Sequence, residues 1–542
     1  MTLEQKLQSA HSTSENSFEK IIVNYISIWQ VLLDNYRSTP EKIFYSYYPD
    51  DHKTQSYTAS EFIKKTEIIA SGFQWLGLKS GDRIATAGHN HPDMILTYFA
   101  AWKMGFCVVP FNMGEDDNRL QYIISHAQPK LIVGLTDELD RIKKMSVTAN
   151  TLHHSELHQF PEKSLTTENV NQLQQDALLI YTSGTTGNPK GVLLTQYQLL
   201  VDADAIKKWF QISSDDRILS VLPIHHVNGT VVTHVMPVVA GASIVLGKKF
   251  HVKSFFKICR EEKITVSSVV PTLLQFLSQH EFRKEEIPNS LKFLICGAGP
   301  LTVDVASRFE TAFGIPVMHG YGLSETTCYS CFLPNNLTTD EHRYWLTEMG
   351  FPSIGVPIPA NEMEIQNDNG ETLPEGEKGE IVIRGHNVMK SYYDNQAANE
   401  SAFQFGWFRS GDEGFFKFDA SKRKFFFITG RFKELIIRGG INLSPLEIDE
   451  VISRCEGVKA GICVGFENDW YGEEVGALVV RSDSALTEKQ VLEFCGKNLP
   501  FMKQPKVVLF TDELPITTTG KYQRNKVKHL FSQWKQTQFK ME

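Results

Sequence analysis

At 542 residues the chain is too long for one compact hydrophobic core, and a size of roughly 150 residues per domain predicts about three or four structural units. Hydrophobic residues make up 42% of the chain and charged residues 22%, and the net charge of -8 excludes the global positive field that drives nucleic-acid binding. The eight scattered cysteines indicate reduced thiols and a cytoplasmic location rather than a disulfide framework.

The N-terminal stretch 1–20 contains no apolar segment of the kind found in a secretory signal. The most apolar later stretch, 231–247, is interrupted by His234, Pro237 and Gly241. It therefore falls short of the about 20 apolar residues that a membrane-spanning helix needs. We expect a chain without a transmembrane segment.

From about residue 175, short apolar runs alternate with amphipathic segments. The runs predict strands within 177–183, 217–223, 242–247, 264–270, 292–296 and 315–319. The amphipathic segments predict helices within 195–210, capped by Thr195, and within 251–263, 271–280 and 301–313. This alternation predicts α/β layers with mostly parallel sheets, which bind ligands at the carboxyl ends of their strands.

After about residue 350 the pattern changes. Apolar and polar residues alternate around Asn-Gly and Glu-Gly turns in 361–385, which predicts antiparallel strands. Beyond Gly430 the sequence predicts a compact α+β unit. We therefore expect a large α/β domain of several subdomains over 1–430 and a small mobile α+β domain over 431–542.

One polar loop, Tyr181–Val192 with the sequence YTSGTTGNPKGV, follows a predicted strand. It is not a Walker A loop, because Lys190 stands three places after Gly187 and is followed by glycine. Pro189 would also prevent a helix from starting at the lysine. The glycines, hydroxyls and lysine are equally typical of a phosphate-binding loop and of a polar hairpin turn.

The same string closely resembles the signature of the acyl-adenylate-forming (ANL) superfamily, which includes acyl-CoA synthetases, carrier-protein adenylation domains and beetle luciferases. Six further motifs of that family follow in the same order: LPIHHVNG (222–229), GAGPL (297–301), YGLSETT (321–327), GWFRSGDEG (406–414), GRFKELIIRGGINLSPLEID (430–449) and PITTTGKYQR (515–524). A weaker resemblance extends towards residue 80. Ser410 departs from the family's usual threonine, and His225 stands where many relatives carry an aromatic residue.

The resemblance implies ATP, Mg²⁺ and CoA as cofactors or substrates. It implies binding of the ATP phosphates by Thr182, Ser183, Gly184, Thr185, Thr186, Lys190 and the Ser324 hydroxyl. It implies an adenine site formed by Gly297, Ala298, Gly299, Tyr321 and Gly322, and a ribose site formed by Asp412 and Arg431. Mg²⁺ would contact Glu325 and Thr186, Lys521 would be the catalytic lysine, His226 would lie beside the acyl pocket, and Lys433 would be the pivot of the small domain.

The implied reaction activates a carboxylic acid as acyl-AMP and releases pyrophosphate. Because negative charge develops on the phosphoryl oxygens, we expect a metal ion and a positioned lysine to stabilise the transition state. A helix-capping glutamate and a solvated lysine are the structural alternatives for Glu325 and Lys521. A non-catalytic nucleotide-binding relative is expected to have lost one of these two residues, and this chain retains both.

The same resemblance reduces the number of possible acceptors of the acyl group. The segment HHVNGT (225–230) lacks the aspartate with which amino-acid adenylation domains bind an α-amino group, and Ile437 replaces a lysine that luciferases use. Gly439 and Gly440 resemble the stretch beside the pantetheine tunnel of CoA ligases. CoA is therefore the expected acceptor, with loading of an acyl-carrier protein as the alternative, and we expect a monomer or homodimer.

A fatty acid is the expected substrate. The candidate pocket residues are predominantly small or apolar, as suits an acyl or aryl acid. They are His226, Val227, Thr230, Cys296, Gly320 and Leu323.

Two short patterns resemble metal or redox sites. Cys328 and Cys331 form a CxxC without a second pair or a thioredoxin-like context, which favours two packing cysteines. His225 and His226 are expected on one strand, where adjacent side chains point to opposite faces, so we predict no metal there.

Overall fold

The computed structural model describes residues 1–145, 149–162, 171–182, 188–517 and 522–539. Within these residues the chain forms three sheets in a large N-terminal domain and one sheet in a small C-terminal domain. This mixed α/β architecture is the predicted fold class.

The helices of the large domain are α1 (Leu3–Ala10), α2 (Ile28–Tyr36), α3 (Ala59–Trp75), α4 (Pro92–Lys103), α5 (Asp117–Ala127), α6 (Thr136–Lys143), α7 (Gln196–Phe210), α8 (Met236–Ala240), α9 (Val252–Glu261), α10 (Pro271–Ser278), α11 (Val303–Phe313), α12 (Thr339–Arg343) and α13 (Gln396–Ala402). Its strands are β1 (Ile43–Tyr48), β2 (Gln55–Thr58), β3 (Arg83–Ala87), β4 (Cys107–Phe111), β5 (Leu131–Gly134), β6 (Asn150–His153), β7 (Asp176–Thr182), β8 (Lys190–Thr195), β9 (Arg217–Ser220), β10 (Ser243–Gly247), β11 (Val266–Val269), β12 (Phe293–Cys296), β13 (Val317–Tyr321), β14 (Cys331–Phe332), β15 (Val356–Pro357), β16 (Asn361–Gln366), β17 (Gly379–Gly385), β18 (Ser391–Tyr392), β19 (Phe408–Phe418) and β20 (Lys424–Arg431). The small domain contains β21 (Ile436–Arg438), β22 (Ile441–Leu443), α14 (Pro445–Ser453), β23 (Val458–Asn468), β24 (Gly472–Arg481), α15 (Glu488–Asn498) and β25 (Val507–Thr511).

The first sheet has the strand order β15-β14-β13-β12-β11-β9-β10-β1-β2. Neighbouring strands from β13 to β1 run parallel, and antiparallel pairs stand at the two edges. The parallel run confirms the predicted α/β layers. Tyr321 ends β13 at the carboxyl edge, where ligands bind in such sheets.

The second sheet has the order β18-β8-β7-β4-β3-β5-β6. Its β7 and β8 form an antiparallel hairpin with Thr182 opposite Lys190. Helix α7 follows, and Thr195 caps it through a capping box with Gln198, as predicted. The polar loop therefore connects two paired strands, which fits the hairpin interpretation of its position.

The third sheet, β16-β17-β19-β20, is antiparallel throughout, as the alternation in 361–385 predicts. Pairing of β19 with β20 places Asp412 opposite Arg431. Two residues that are 19 positions apart in the sequence are thereby brought together by strand register alone.

The small domain is built on the strand order β22-β21-β24-β23, with β25 parallel to β24. Its hydrophobic clusters draw on residues from Ile436 onwards, whereas those of the large domain use residues up to Ile428. Each domain thus has its own core. The boundary between residues 430 and 431 stays a prediction and falls in the interval between these cores.

All eight cysteines are buried and unpaired, which is consistent with reduced thiols and with a packing role for Cys328 and Cys331. Among the described residues, no helix combines the length and the apolar character that crossing a membrane requires.

The strand expected at His225 and His226 is wrong. Strand β9 ends at Ser220, and both histidines lie in a turn with ring centroids 4.4 Å apart. The Asn90 side chain binds the Leu222 carbonyl (3.0 Å) and the Ile224 N–H (2.9 Å). These backbone groups are therefore occupied and cannot extend the ladder.

A buried polar network joins α7 to the segments after β13 and β17. Asp202 on α7 is fully buried and accepts from Asn387 Nδ2 (3.1 Å) and from the Tyr329 N–H (3.4 Å). Asn387 Nδ2 also donates to the Tyr329 carbonyl (2.9 Å). Burial raises the pKa of Asp202 to about 8.

We predict that Asp202→Asn reduces the loss of stability with rising pH. Between the unfolded pKa of about 3.9 and a folded pKa of about 8, the folded state holds a proton that the unfolded state has released. The free energy of unfolding of the wild-type protein therefore falls across this window, and the asparagine amide removes that contribution. Urea unfolding at pH 5, 6, 7 and 8 measures the difference. Asp204→Asn on the same helix is the control, and parallel pH curves for wild type and Asp202→Asn would contradict the assignment.

Candidate active site

A cleft opens between the first sheet, the third sheet and the small domain. Seven of the predicted residues line it together: Ala298, Gly299, Gly320, Tyr321, Gly322, Asp412 and Arg431. The small domain contributes Asp449, Glu450, Tyr522 and Arg524. The adjoining Gly297 is held by close packing, since a Cβ there would lie 2.5 Å from the Tyr329 hydroxyl oxygen.

Asp412 is the charged centre of this cleft and is 1% exposed. Its Oδ2 accepts from the Tyr321 hydroxyl at 2.6 Å, and its Oδ1 lies 3.0 Å from Arg431 Nε. The Ser410 hydroxyl accepts from the Asp412 N–H at 3.0 Å and fixes the backbone. Attraction to Asp412 raises the pKa of Arg431, and burial together with Asp412 raises that of Tyr321.

Oδ1 of Asp412 is buried and has no well-aligned hydrogen-bond donor among the described residues, despite the nearby Arg431 charge. A buried carboxylate oxygen normally accepts hydrogen bonds. The site can therefore accept a hydroxyl group from a ligand in the cleft.

A second cluster of polar and charged side chains is centred on Glu325. This residue belongs to the short 3₁₀-helix Ser324–Thr326 and is 8% exposed. Its Oε1 accepts from the Tyr392 hydroxyl at 2.8 Å. Lys190 Nζ lies 4.7 Å from the centre of the Tyr392 ring. Burial, followed by repulsion from Lys433, lowers the pKa of Lys190, and attraction to Glu325 opposes this shift.

The backbone beside Glu325 is strained. Thr327 has φ +64° and ψ −52°, and the Cys328 N–H binds the Thr326 carbonyl at 2.7 Å, which makes a γ-turn of the rare positive-φ type. The Thr327 hydroxyl donates to the Asn387 carbonyl at 2.6 Å. The polar network around Asn387 thus holds a conformation that an isolated chain would avoid.

A smaller cavity brings Thr182 and His226 together with Arg119 and Tyr181. His225 also lines it. Burial lowers the pKa of His225 to about 4, so its ring is neutral, and its Nε2 has no hydrogen-bond partner among the described residues.

Gly439 and Gly440 lie outside the cleft lining, in the two-residue connection between β21 and β22. Their φ angles are +58° and +81°, as a type I′ hairpin requires at both positions. The turn alone therefore accounts for the glycine pair, and its predicted role near CoA stays a prediction.

The family model of the AMP-binding enzymes matches residues 32–393, and that of the AMP-binding enzyme C-terminal domain matches residues 447–521. The protein belongs to the AMP-binding enzyme family. It is 33% identical over 472 residues to oxalate–CoA ligase of Arabidopsis thaliana, with 84% of this chain and 89% of the relative covered. It is 32% identical over 463 residues to sulfoacetate–CoA ligase of Cupriavidus necator, with coverages of 83% and 88%.

Several solved structures, among them a CoA synthetase, match almost the full length of this chain. ATP-bound MatB from Rhodopseudomonas palustris superposes with a TM-score of 0.82 at 26% identity, covering 93% of this chain and 99% of that one. Apo MatB from the same organism gives 0.72 at the same identity, with 94% and 99% covered. O-succinylbenzoate CoA synthetase from Bacillus subtilis in complex with ATP and a magnesium ion gives 0.81 at 26% identity, with 93% and 99% covered.

Five of the predicted site residues of this AMP-binding enzyme fall outside the described residues: Ser183, Gly184, Thr185, Thr186 and Lys521. Their described neighbours are Thr182 and Lys190 of the hairpin and Tyr522 of the cleft wall. Lys433 lies in the exposed 3₁₀-helix Phe432–Glu434 that links the two domains.

Several residues that support the site were missed in the sequence. Tyr392 holds Glu325 from 67 positions away, Asn387 holds the strained turn, and Arg524 binds Asp449 at the cleft wall. The available signals were weak, namely an aromatic pair at 392–393 and single polar residues inside apolar runs. No local periodicity connects residues that meet only through tertiary packing.

The donor set fits the nucleotide and the metal that the family implies. Asp412 Oδ1, which has an ion pair with Arg431 but no well-aligned hydrogen-bond donor among the described residues, suits a ribose hydroxyl. The buried Glu325 carboxylate offers the hard oxygen ligand that Mg²⁺ prefers beside phosphates.

We predict that Tyr392→Phe weakens binding of Mg²⁺·ATP about tenfold, because a hydrogen bond to a charged group contributes about 1.5–3 kcal/mol. The phenol hydroxyl orients Glu325, and its loss leaves the carboxylate with one donor fewer. Isothermal titration calorimetry with Mg²⁺·ATP measures the change. Tyr393→Phe, at the next position, is the matched control, and equal affinities in the two variants would contradict the role of Tyr392.

Proposed function

We propose that this AMP-binding enzyme activates a carboxylic acid with ATP, forming acyl-AMP and pyrophosphate, and then transfers the acyl group to the thiol of CoA. The observation that carries the proposal is the buried Asp412 carboxylate between Tyr321 and Arg431, with one oxygen available to a hydroxyl ligand. The relatives named as CoA ligases support CoA as the acceptor.

In the first step a carboxylate oxygen of the acid attacks the α-phosphorus of ATP, and the bond to pyrophosphate breaks. Asp412 binds the ribose, and Tyr321, at the end of β13, stacks on the adenine beside Ala298 and Gly299. The ammonium group of Lys521 stabilises the charge that develops on the phosphoryl oxygens. Glu325 and Thr186 would hold Mg²⁺, which would supply Lewis-acid stabilisation of the phosphates.

In the second step the CoA thiolate attacks the acyl carbonyl carbon, and the carbon–oxygen bond to AMP breaks. The small domain turns about Lys433 between the steps, withdrawing Lys521 and bringing the Gly439–Gly440 hairpin towards the thiol. Two observations support the view that the described arrangement is the first of the two. Tyr522, next to Lys521 in the chain, lines the nucleotide cleft, and the structure superposes better on ATP-bound than on apo MatB.

The identity of the carboxylic acid is the more specific part of the proposal. The fatty acid expected from small apolar pocket residues gains no support from relatives named for oxalate and sulfoacetate. Polar residues, among them Asn112, Glu115 and Arg119, line the cavity at His226. A panel of short polar, aryl and fatty acids identifies the substrate. Each acid is tested first for acid-dependent pyrophosphate exchange and then for formation of acyl-CoA, which is detected by mass spectrometry. Acyl transfer to carrier protein but not to CoA would overturn the proposed acceptor.

Asp412→Asn tests the ribose contact. We expect the preference for ATP over 2′-deoxy-ATP and 3′-deoxy-ATP to fall at least about tenfold for one of the two analogues, since a hydrogen bond from a hydroxyl to a charged group is lost. Competition assays of pyrophosphate exchange measure the preference. Asp419→Asn, in the β19–β20 turn outside the cleft lining, serves as the control. An unchanged preference in Asp412→Asn would exclude ribose from this position.

Lys521→Ala separates the two half-reactions. We expect pyrophosphate exchange to fall about 10²–10³-fold, as when one preorganised transition-state donor is removed, while thioester formation from supplied acyl-AMP stays within a few-fold of wild type. Lys526→Ala, an exposed lysine five positions later, is the matched control. Equal losses in both half-reactions would refute the role of Lys521.

A further inference from the structure

Four metal-ligating side chains meet on the large domain, apart from the nucleotide cleft. His91 is the N-cap residue of α4 and Asp93 lies in the first turn of that helix, whereas His154 and His158 belong to the 3₁₀-helix His154–Gln159 after β6. Asp93 Oδ2 lies 2.6 Å from His154 Nδ1, and Asp93 Oδ1 lies 2.8 Å from His158 Nε2. His91 Nδ1 is 3.6 Å from Asp93 Oδ2.

We propose that His91, Asp93, His154 and His158 form a binding site for a divalent transition-metal ion, with Zn²⁺ as the first candidate. A set of imidazole nitrogens with one carboxylate oxygen suits Zn²⁺. It does not suit Mg²⁺ or Ca²⁺, which prefer oxygen ligands. This site is separate from the Mg²⁺ position implied at Glu325.

The spacing of the donor atoms is close to that of a coordinated ion. One ligand atom from each of His91, Asp93 and His154 lies within 4.8 Å of the others. Zn–N bonds of about 2.0–2.1 Å in a tetrahedron place ligand atoms about 3.3 Å apart. Small side-chain rotations would bring these three donor atoms to that spacing. His158, which lies against the other Asp93 oxygen, is the proposed fourth ligand.

Further contacts hold His91 beside Asp93 and His154. The Asp93 N–H donates to His91 Nδ1 at 3.2 Å, and the ring centroids of His91 and His154 are 4.8 Å apart.

The alternative is that Asp93 only accepts two imidazole hydrogen bonds, which join α4 to the segment after β6 without a metal. Both arrangements use the same contacts. They differ in one measurable property, because only the metal site binds a transition-metal ion in preference to the rest of the surface.

The position of the cluster connects it to the active site. Asn90, next to His91, holds Leu222 and Ile224, and these residues lead directly into His225 and His226. Asn90 Nδ2 also donates to the Gly247 carbonyl at the end of β10 (3.0 Å). An ion bound at His91 would therefore stabilise the loop that positions the His226 turn.

Metal titration of the full-length protein tests the site. The chain is stripped with a chelator, and Zn²⁺ is titrated in competition with a chromophoric chelator in the presence of excess Mg²⁺, which occupies oxygen-rich sites. We expect one Zn²⁺ per chain and an upward shift of the melting temperature on binding. The His154→Ala/His158→Ala double variant should bind at least about tenfold more weakly. Both side chains are partly exposed (22% and 34%), so the variant is expected to fold, and circular dichroism checks this.

His52→Ala is the matched control, since His52 also lies beside an aspartate, with Nδ1 3.3 Å from Asp51 Oδ1, on the exposed surface. It should leave the affinity for Zn²⁺ unchanged. Co²⁺ as a second probe should give the visible absorption of a tetrahedral site in wild type and in His52→Ala but not in the double variant. Absence of a stoichiometric Zn²⁺ site, or equal affinity in the double variant and wild type, would overturn the proposal and leave the hydrogen-bonded cluster as its explanation.

Discussion

The contact of Asp412 with Tyr321 and Arg431 is the interaction on which the site depends. Tyr321 ends a strand of the first sheet, Asp412 lies on β19 of the third sheet, and Arg431 is the last residue of β20 before the small domain begins. A single buried carboxylate therefore joins two sheets of the large domain and the start of the link to the small domain. In a buried environment such a charge is tolerated only when it is paired and hydrogen-bonded. A bound nucleotide that completes the hydrogen bonding of Asp412 would stabilise the whole junction.

A second buried carboxylate follows the same logic. Glu325 is a buried carboxylate that attracts Lys190 of the β7–β8 hairpin, and Lys433 of the interdomain link repels Lys190. The two lysines repel each other in the absence of a polyanion, and the negative charges of ATP would offset that repulsion. Binding of ATP would thereby favour an arrangement of the domains that keeps these two lysines close together.

Much of this architecture could be predicted from the sequence, because the deciding signals are local. Thr195 and Gln198 define a capping box, and apolar runs separated by amphipathic helices define the parallel sheet. The motif order led to the residues that line the cleft. The flanks of the polar loop form an antiparallel hairpin, and its role in binding phosphate stays a prediction.

The parts that escaped prediction depend on long-range contacts. Tyr392 and Asn387 act on the Glu325 segment through bonds between residues some 60 positions apart. His225 and His226 leave the strand because the distant Asn90 occupies their neighbours' backbone groups. His91 and His154 look unremarkable in separate segments and form a cluster only when α4 packs against the segment after β6. Conversely, the glycines at 439 and 440 are explained by a local turn, which leaves less to attribute to CoA.

The central claim is that the cleft at Asp412 forms an acyl-adenylate, and isotope transfer tests it most directly. The acid is supplied with ¹⁸O in both carboxylate oxygens, together with ATP, Mg²⁺ and CoA, and the products are analysed by mass spectrometry. Attack on the α-phosphorus followed by thiol attack on the carbonyl carbon leaves one acid oxygen on the nucleotide. The account predicts AMP carrying one ¹⁸O and unlabelled pyrophosphate. Label in inorganic phosphate, with ADP as the nucleotide product, would show an acyl-phosphate route and contradict it.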